Sequence, residues 1–419
     1  MGKWVKDRLD SFCHIEMGQS PDSSGYNSEG VGLPLIQGNA DIKNRKTIKR
    51  NFTSIITKTS LPGEIILTVR APVGNVAVAT DECCLGRGVC AISSSNVDKH
   101  FLYHALIWRE SEWQKLEQGS TFTAVGYKEV ESFSIEYPIL ENEQRHIAEI
   151  LTTCDEVIEK SEAVAEKYRA IKAGMLKDLF TRGIGKNGKL RPPPESSPQL
   201  YKDTALGKVP REWEVKSFDS AFELHGNNTL SRAFLTNQNG VVRNVHYGDV
   251  LVKYDTILDC DDEALPSVIA EGLRQAGSDY LQNGDLVFAD TAEDDTVGKA
   301  VELYNVGDRT IVSGLHTIFA RPKEDDFASR WLGYYVNSDS FHKQLLPFVV
   351  GSKVSSISRT NIKRTFVVIP ESDEQQQIAE RLSAIDAKIA HELAVIAKYR
   401  KVKAGLMARL LTPPDMEVE

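Results

Sequence analysis

Residues 143–151 read EQRHIAEIL and residues 374–382 read EQQQIAERL, while 167–174 read KYRAIKAG and 398–405 read KYRKVKAG. Both matches fall at one offset, 231 residues. Carried without a gap across 143–181, that offset returns 18 identities in 39 positions, so the chain holds one long element twice. In each copy the apolar positions advance by alternating steps of four and three. The first seam runs through Ile147, Leu151, Ile158, Tyr168 and Leu179, and the second through Ile378, Leu382, Ile389, Tyr399 and Leu410. A 3.5-residue repeat kept up over about five heptads is a coiled-coil pattern, and a helix of about 35 residues spans about 50 Å. Pro138 and Pro370 stand just before the two helices, where a proline ends a strand and is tolerated at a helix start. Two such helices in one chain most simply pack on each other, and antiparallel packing is expected because it relates the halves by a pseudo-two-fold. The polar seam positions, Ser161 with Glu392 and Lys172 with Lys403, fix register or face a partner.

The rest of the chain repeats more weakly. At an offset of 232, GSTFTAV (119–125) faces GSKVSSI (351–357), and PGEIILT (62–68) resembles NGDLVFA (283–289). Trp4 and Leu9 keep the spacing of Trp213 and Phe218. Short β-rich runs alternate with Gly, Asn and Asp turns, and short helices are expected over 101–116 and 327–345. The expected fold class is α+β: two β-rich globular domains separated by two long coiled-coil helices. The domain reading is 1–139 for the first globular domain, 140–182 for the first long helix and 183–206 for a linker. It continues with 207–370 for the second globular domain, 371–412 for the second long helix and 413–419 for a tail. The linker reading rests on the glycines, serines and three consecutive prolines of TRGIGKNGKLRPPPESS.

Composition excludes several classes. The hydrophobic share of 41% and charged share of 26% describe an ordinary globular chain of 419 residues. Six cysteines without a C-x-x-C pair indicate neither a disulfide framework nor a zinc ribbon, and fit a reducing compartment. The N-terminal residues show no apolar signal segment and no apolar run is long enough for a membrane helix, so a cytoplasmic protein is expected. The net charge of −9 argues against a broadly basic nucleic-acid binder, so any such surface is a local patch. No G-x-x-x-x-G-K-[ST], dinucleotide G-x-G-x-x-G or H-E-x-x-H motif is present, nor the N-P-P-[FYW] tetrapeptide of amino-methyltransferases.

The two EQ-x-x-IAE-x-L helices ending in KYR-x-x-KAG, each following a dissimilar domain, resemble the DNA-specificity subunit of type I restriction-modification systems. DLFTRGIGKNGKLRPP (178–193) and LYKDTALGKVPREWE (200–214) resemble that family's central conserved region. The resemblance implies two target-recognition domains, each reading one half of a split, asymmetric site on double-stranded DNA, with the helices as a ruler. It implies two modification subunits that methylate adenine and restriction subunits that translocate and cleave. It also implies that this chain is no enzyme and binds no cofactor or metal, with S-adenosylmethionine, ATP and Mg in the partner subunits. The helices' outward faces would then dock the modification subunits.

The alternatives are a DNA methyltransferase or nuclease acting by itself, which S-adenosylmethionine binding by the chain would reveal, and a coiled-coil adaptor that does not touch DNA. Candidate DNA contacts begin with KNRKTIKR, where Lys43, Arg45, Lys46, Lys49 and Arg50 put five cations in eight residues. Arg70 and Arg87 lie beside glycines at strand ends, where a guanidinium can grip guanine or merely satisfy loop carbonyls. Ser120, Thr121 and Lys128 correspond to a region of the second domain with Ser352, Lys353, Arg359, Lys363 and Arg364. The acidic run DCDDEALP lacks Ca-loop spacing and reads as a solvated loop, and Cys83, Cys84 and Cys90 with His100 and His104 read as core rather than as zinc ligands.

Overall fold

The structure, a computed structural model, describes residues 3–115, 124–277, 279–351 and 353–414. The chain divides into two compact units, Met1–Ala163 with Glu392–Glu419, and Val164–His391. Each long helix is therefore shared: Glu141–Leu179 and Ser372–Leu410, both 39 residues, each contribute to both units.

In the first unit a six-stranded sheet runs Cys13–Met17, Val89–Ser94, Ile65–Thr68, Val76–Val78, Lys46–Thr47, Ile42–Lys43. A five-stranded sheet runs Tyr26–Asn27, Phe52–Thr53, Leu33–Ile36, Cys83–Leu85, Thr59–Ser60. Ile65–Thr68 is buried along its whole length, as a continuous apolar run in a central strand should be. Trp4–Arg8 pairs antiparallel with Ser134–Pro138, which brings the chain to the start of the first long helix. The helix Lys99–Trp108 begins where Asp98 accepts from His100 N and Phe101 N, each at 3.0 Å. One core joins Leu9, Phe101, Trp113 and Phe133 of the domain to Ile147, Leu151, Met407 and Leu411 of the helices. Trp113 and Phe133 stack at 3.8 Å between centroids.

The second unit repeats this plan. Its five-stranded sheet runs Phe222–His225, Thr317–Pro322, Leu286–Ala289, Ala300–Tyr304, Ile257–Asp259, beside a four-stranded sheet led by Leu235–Thr236. Glu214–Ser217 pairs with Phe366–Ile369 as Trp4–Arg8 pairs with Ser134–Pro138. Its largest core gathers Trp213, Phe218, Phe288, Trp331 and Phe341 around Leu179, Ile378 and Leu382.

The helices run antiparallel, as contacts inside each unit show. In the first unit Lys403 bonds both oxygens of Asp155 at 2.5 and 2.6 Å, and Arg400 reaches Glu162 at 2.7 Å. In the second, Lys172 meets Asp386 at 2.6 Å and Lys388 lies over the Tyr168 ring. Partner numbers fall as helix numbers rise, which only an antiparallel pair allows. Lys172 and Lys403, and Asp155 and Asp386, are each 231 residues apart, so one ion pair occurs twice. The two seam lysines thus face carboxylates on the opposing helix. Among the ten apolar seam residues, Ile147, Leu151, Leu179, Ile378 and Leu382 are buried, and Ile158, Tyr168, Ile389, Tyr399 and Leu410 are half-buried.

The reading of 183–206 as an extended linker outside any core needs correction. Tyr201–Thr204 and Gly207–Pro210 form an antiparallel hairpin, and Ile184, Tyr201 and Val209 are buried in the second unit. Arg191, 7% exposed, donates to Glu374 through Nη1 at 2.5 Å and Nη2 at 2.9 Å. Ile184 N and Trp213 Nε1 donate to the same carboxylate at 2.7 and 3.1 Å. Proline and glycine mark turns correctly there, but scattered apolar residues and one buried arginine tie those turns to the start of the second helix. The short helices also differ from expectation. Each breaks into two pieces, Lys99–Trp108 with Glu110–Lys115 and Trp331–Val336 with Asp339–His342, because Arg109 and Asn337 leave the helical region at the break.

Candidate nucleic-acid interface

The basic run folds as a tight hairpin. Ile42–Lys43 pairs with Lys46–Thr47, and the two turn residues, Asn44 and Arg45, hold φ of 51° and 60°. Two consecutive positive φ values are the signature of the hairpin turn whose twist matches its strands. Most of its cations are turned to internal partners. Arg45 grips Glu110 with both nitrogens, one bond at 2.9 Å, and also donates to Asn75 Oδ1 and Val76 O. Lys46 pairs with Glu159 at 2.5 Å, Lys49 with Asp81 at 2.8 Å, and Arg50 donates to Ala40 O at 2.9 Å. Lys43 is exposed and has no ion-pair or hydrogen-bond partner among the described residues.

The side chains of Arg70, Arg87 and Lys128 are likewise exposed and without an ion-pair or hydrogen-bond partner among the described residues. Arg70 follows the strand Ile65–Thr68 and Arg87 precedes its neighbour Val89–Ser94. Thr68 pairs with Val89 and Val69 N donates to Gly88 O at 2.9 Å, where this ladder ends; beyond it Arg70 bridges to Ala124 and Arg87 lies in the Gly86–Val89 turn, so the two arginines flank that last bond. The turn that carries Arg87 is held by its backbone: Gly86 N donates to Ile36 O, Val89 N to Gly86 O, Gln19 N to Leu85 O and Gly18 N to Val89 O. A Cβ on Gly88 would lie 2.0 Å from Gln37 O, and one on Gly18 would lie 2.2 Å from Gly86 O, so close backbone approach requires glycine at both.

In the second unit Lys353 is exposed and without partner among the described residues, whereas Lys363 pairs with Asp219 at 2.8 Å. Arg359 donates to His225 O, and Arg364 lies over the Phe348 ring. Ser120, Thr121 and Ser352 lie outside the described residues.

Sequence reasoning passed over the second unit's counterpart of the Arg87 turn. Gly314 N donates to Val245 O and Asp290 N to His316 O, as Gly86 N donates to Ile36 O and Val69 N to Gly88 O. Ile357 N to Asp290 O repeats Val125 N to Val69 O. Leu315 therefore stands where Arg87 stands, His316 where Gly88 stands and Thr291 where Arg70 stands. A glycine after a buried strand in LGRGV and SGLHT was the signal available in the sequence.

A cleft of about 650 Å³ opens in the first unit between the basic hairpin and the helices, with Tyr103, Asp155, Glu159 and Lys403 among its walls. Its facing charges are matched, Lys46 to Glu159, Arg400 to Glu162 and Lys403 to Asp155. Burial pushes the Cys83 and Cys90 thiols up to about 12, so neither is a nucleophile at neutral pH.

Comparison with known proteins adds an independent line. The family model described as "Type I restriction modification DNA specificity domain" matches residues 1–167 and 210–398, once for each half of the repeat. The MjaVIII type I restriction enzyme specificity subunit of Methanocaldococcus jannaschii is 23% identical over 93% of this chain and 84% of its own length. A candidate MjaX specificity subunit of the same organism is 36% identical over 177 residues, 42% of this chain, and that match spans only 41% of the relative. Among solved structures, the S subunit of a type I restriction-modification system from M. genitalium has a TM-score of 0.63 at 14% identity, covering 99% of this chain and 97% of that one. A chain from a study of complex assembly in the type I R-M system has a TM-score of 0.51 at 15% identity, covering 99% and 98%. These structures share the fold.

Proposed function

The chain belongs to the type I restriction-modification DNA specificity family, and from that premise we propose that it is the sequence-reading, non-catalytic subunit of such a complex. Each globular domain reads one half of a bipartite, asymmetric target on double-stranded DNA. The observation that carries this reading is the duplication: the same framework of paired end strands, helix and ion pair occurs twice, around recognition turns whose residues differ. A duplicated frame with unlike turns suits a split target with unlike halves.

DNA contact falls first to the cations that have no internal partner among the described residues, Lys43, Arg70, Arg87 and Lys128 in one unit and Lys353 in the other. Arg45, Lys46, Lys49, Arg50, Arg359, Lys363 and Arg364 support them from the same loops. Two modification subunits dock along the helices and methylate adenine with S-adenosylmethionine. Restriction subunits use ATP and Mg, and the assembly works in the cytoplasm. No helix among the described residues is long and apolar enough to cross a membrane.

Single-molecule sequencing of adenine methylation in the source genome, with and without this gene, tests the reading. Loss of one split motif with a fixed gap in the deletion strain is expected. Unchanged methylation, together with no DNA retention by the chain and its modification partners at low salt, would favour the adaptor alternative.

A further inference from the structure

We propose that Arg70 and Arg87 together form the base-reading element of the first domain, gripping guanine acceptors in the major groove, and that the second domain reads its half-site without a guanidinium at this place. The inference rests on the DNA-reading role proposed above. It begins with a conflict. Two arginines that flank the same ladder end repel, since like charges brought near one another are destabilising. No carboxylate offsets them: neither side chain has an ion-pair or hydrogen-bond partner among the described residues. The same unit supplies acidic partners to Arg45, Lys46, Lys49 and Arg50 but leaves this pair, like Lys43 and Lys128, unmatched among the described residues.

Rigidity separates base reading from phosphate binding. Arg87 sits between Gly86 and Gly88 on a turn pinned by backbone hydrogen bonds, and Arg87 N itself donates to Ser20 Oγ at 3.3 Å. With glycine on both sides, Arg87 is the only side chain the turn presents. A planar fork on a fixed base matches the paired O6 and N7 acceptors of guanine, which a mobile surface cation does not require. Strand Ile65–Thr68 leads into Arg70, and Arg70 bridges to Ala124, so the second guanidinium also starts from anchored backbone.

The second unit sharpens the assignment, because its equivalent turn keeps the bonds of Gly314 N to Val245 O and Asp290 N to His316 O and carries different chemistry. Leu315 and Thr291 occupy the two arginine places, and His316, with φ of 54°, lies 3.4 Å from Asp290. Turns at equivalent places that differ in side chains and in the φ of the last turn residue present different chemistry to a duplex. Guanine reading from this place therefore belongs to the first domain's half-site.

The experiment selects bound sequences from a duplex pool randomised over about two helical turns, using the full chain with its modification subunits, first unaltered and then as Arg87→Ala, Arg70→Ala and Arg87→Lys. The unaltered complex should return a bipartite motif with guanine in one half. Arg87→Ala should then lose roughly 5- to 150-fold preference at a single guanine, with the other half-site unchanged, and Arg87→Lys should restore it only in part. Arg70→Ala should relax a neighbouring position. A uniform loss of affinity across all sequences, with a shallower salt dependence, would overturn the proposal by making these arginines phosphate contacts. An unchanged motif in both alanine variants would overturn it as well. If the unaltered complex selects no motif, the DNA-reading role itself fails and the inference with it. Circular dichroism melts that match the unaltered chain exclude misfolding, which is expected for two exposed side chains.

Discussion

His104 shows how far burial alone can move a side chain. It is 1% exposed, its Nε2 lies 3.1 Å from Thr152 Oγ1, and its Nδ1 has no hydrogen-bond partner. Burial, with Lys403 and His100 adding positive charge nearby, lowers its pKa to about 3. Asp155 lies 3.9 Å from Nδ1 but is already held by Lys403, so it does not rescue the charged form. A folded pKa below the unfolded value means that the unfolded chain binds the extra proton between about 6.5 and about 3. Stability from this group is complete above about pH 6.5 and is lost as pH falls toward 3, at up to about 1.4 kcal/mol per pH unit. Urea unfolding of the full chain at several acidic pH values should show this slope, and His104→Gln should flatten it; an equal slope in the variant would assign the loss to other groups. The matching residue of the second unit is Tyr334, which bonds Ser383 and Asp386, the counterparts of Thr152 and Asp155. Equivalent places thus hold different chemistry in the two units, as Arg87 and Leu315 do.

The helices were the most legible elements, and their attachments the least. Heptad spacing marks both seams, and none of their positions is exposed, because the alternation of three and four follows from helix geometry whatever surrounds it. The glutamine of each EQ motif was visible as a repeat but not as a fastener. Gln144 donates to Pro138 O and accepts from Asp98 N, and Gln375 donates to Pro370 O and accepts from Ala328 N, each bond between 2.7 and 2.9 Å. Both glutamines are buried and clip a helix start to its domain. Hydrogen bonds between segments far apart in the chain leave no local pattern to read. The repeated Lys–Asp pair is the other such link, and its strength is open to a direct test. A double-mutant cycle with Asp155→Ala and Lys403→Ala should give a coupling of about 0.5–3 kcal/mol, since Lys403 is only 14% exposed. A coupling near zero would reduce the pair to a solvated contact.

At the scale of the molecule, the segment 183–206 separates two views of how the chain is organised. A linker would be cut early by a broad-specificity protease, with fragment ends across 183–206. The folded hairpin and the buried Arg191 and Glu374 predict the opposite: no early fragment end in that stretch under native conditions, as mass spectrometry of a brief digest would show. What the amino-acid sequence determined by itself was everything periodic or duplicated: the two helices and their seams, the two β-rich domains, and through their motifs the family. Periodicity is a local property, written in consecutive residues, so it survives without the fold. Tertiary structure alone decided which charges remain free. KNRKTIKR is the densest basic run in the sequence, yet Glu110, Glu159 and Asp81 claim three of its cations. Arg70 and Arg87, 17 residues apart, come to one ladder end because Thr68 pairs with Val89 and Val69 N donates to Gly88 O. Charge is additive along a chain, but availability depends on what stands within about 4 Å in space, and only folding brings those neighbours there.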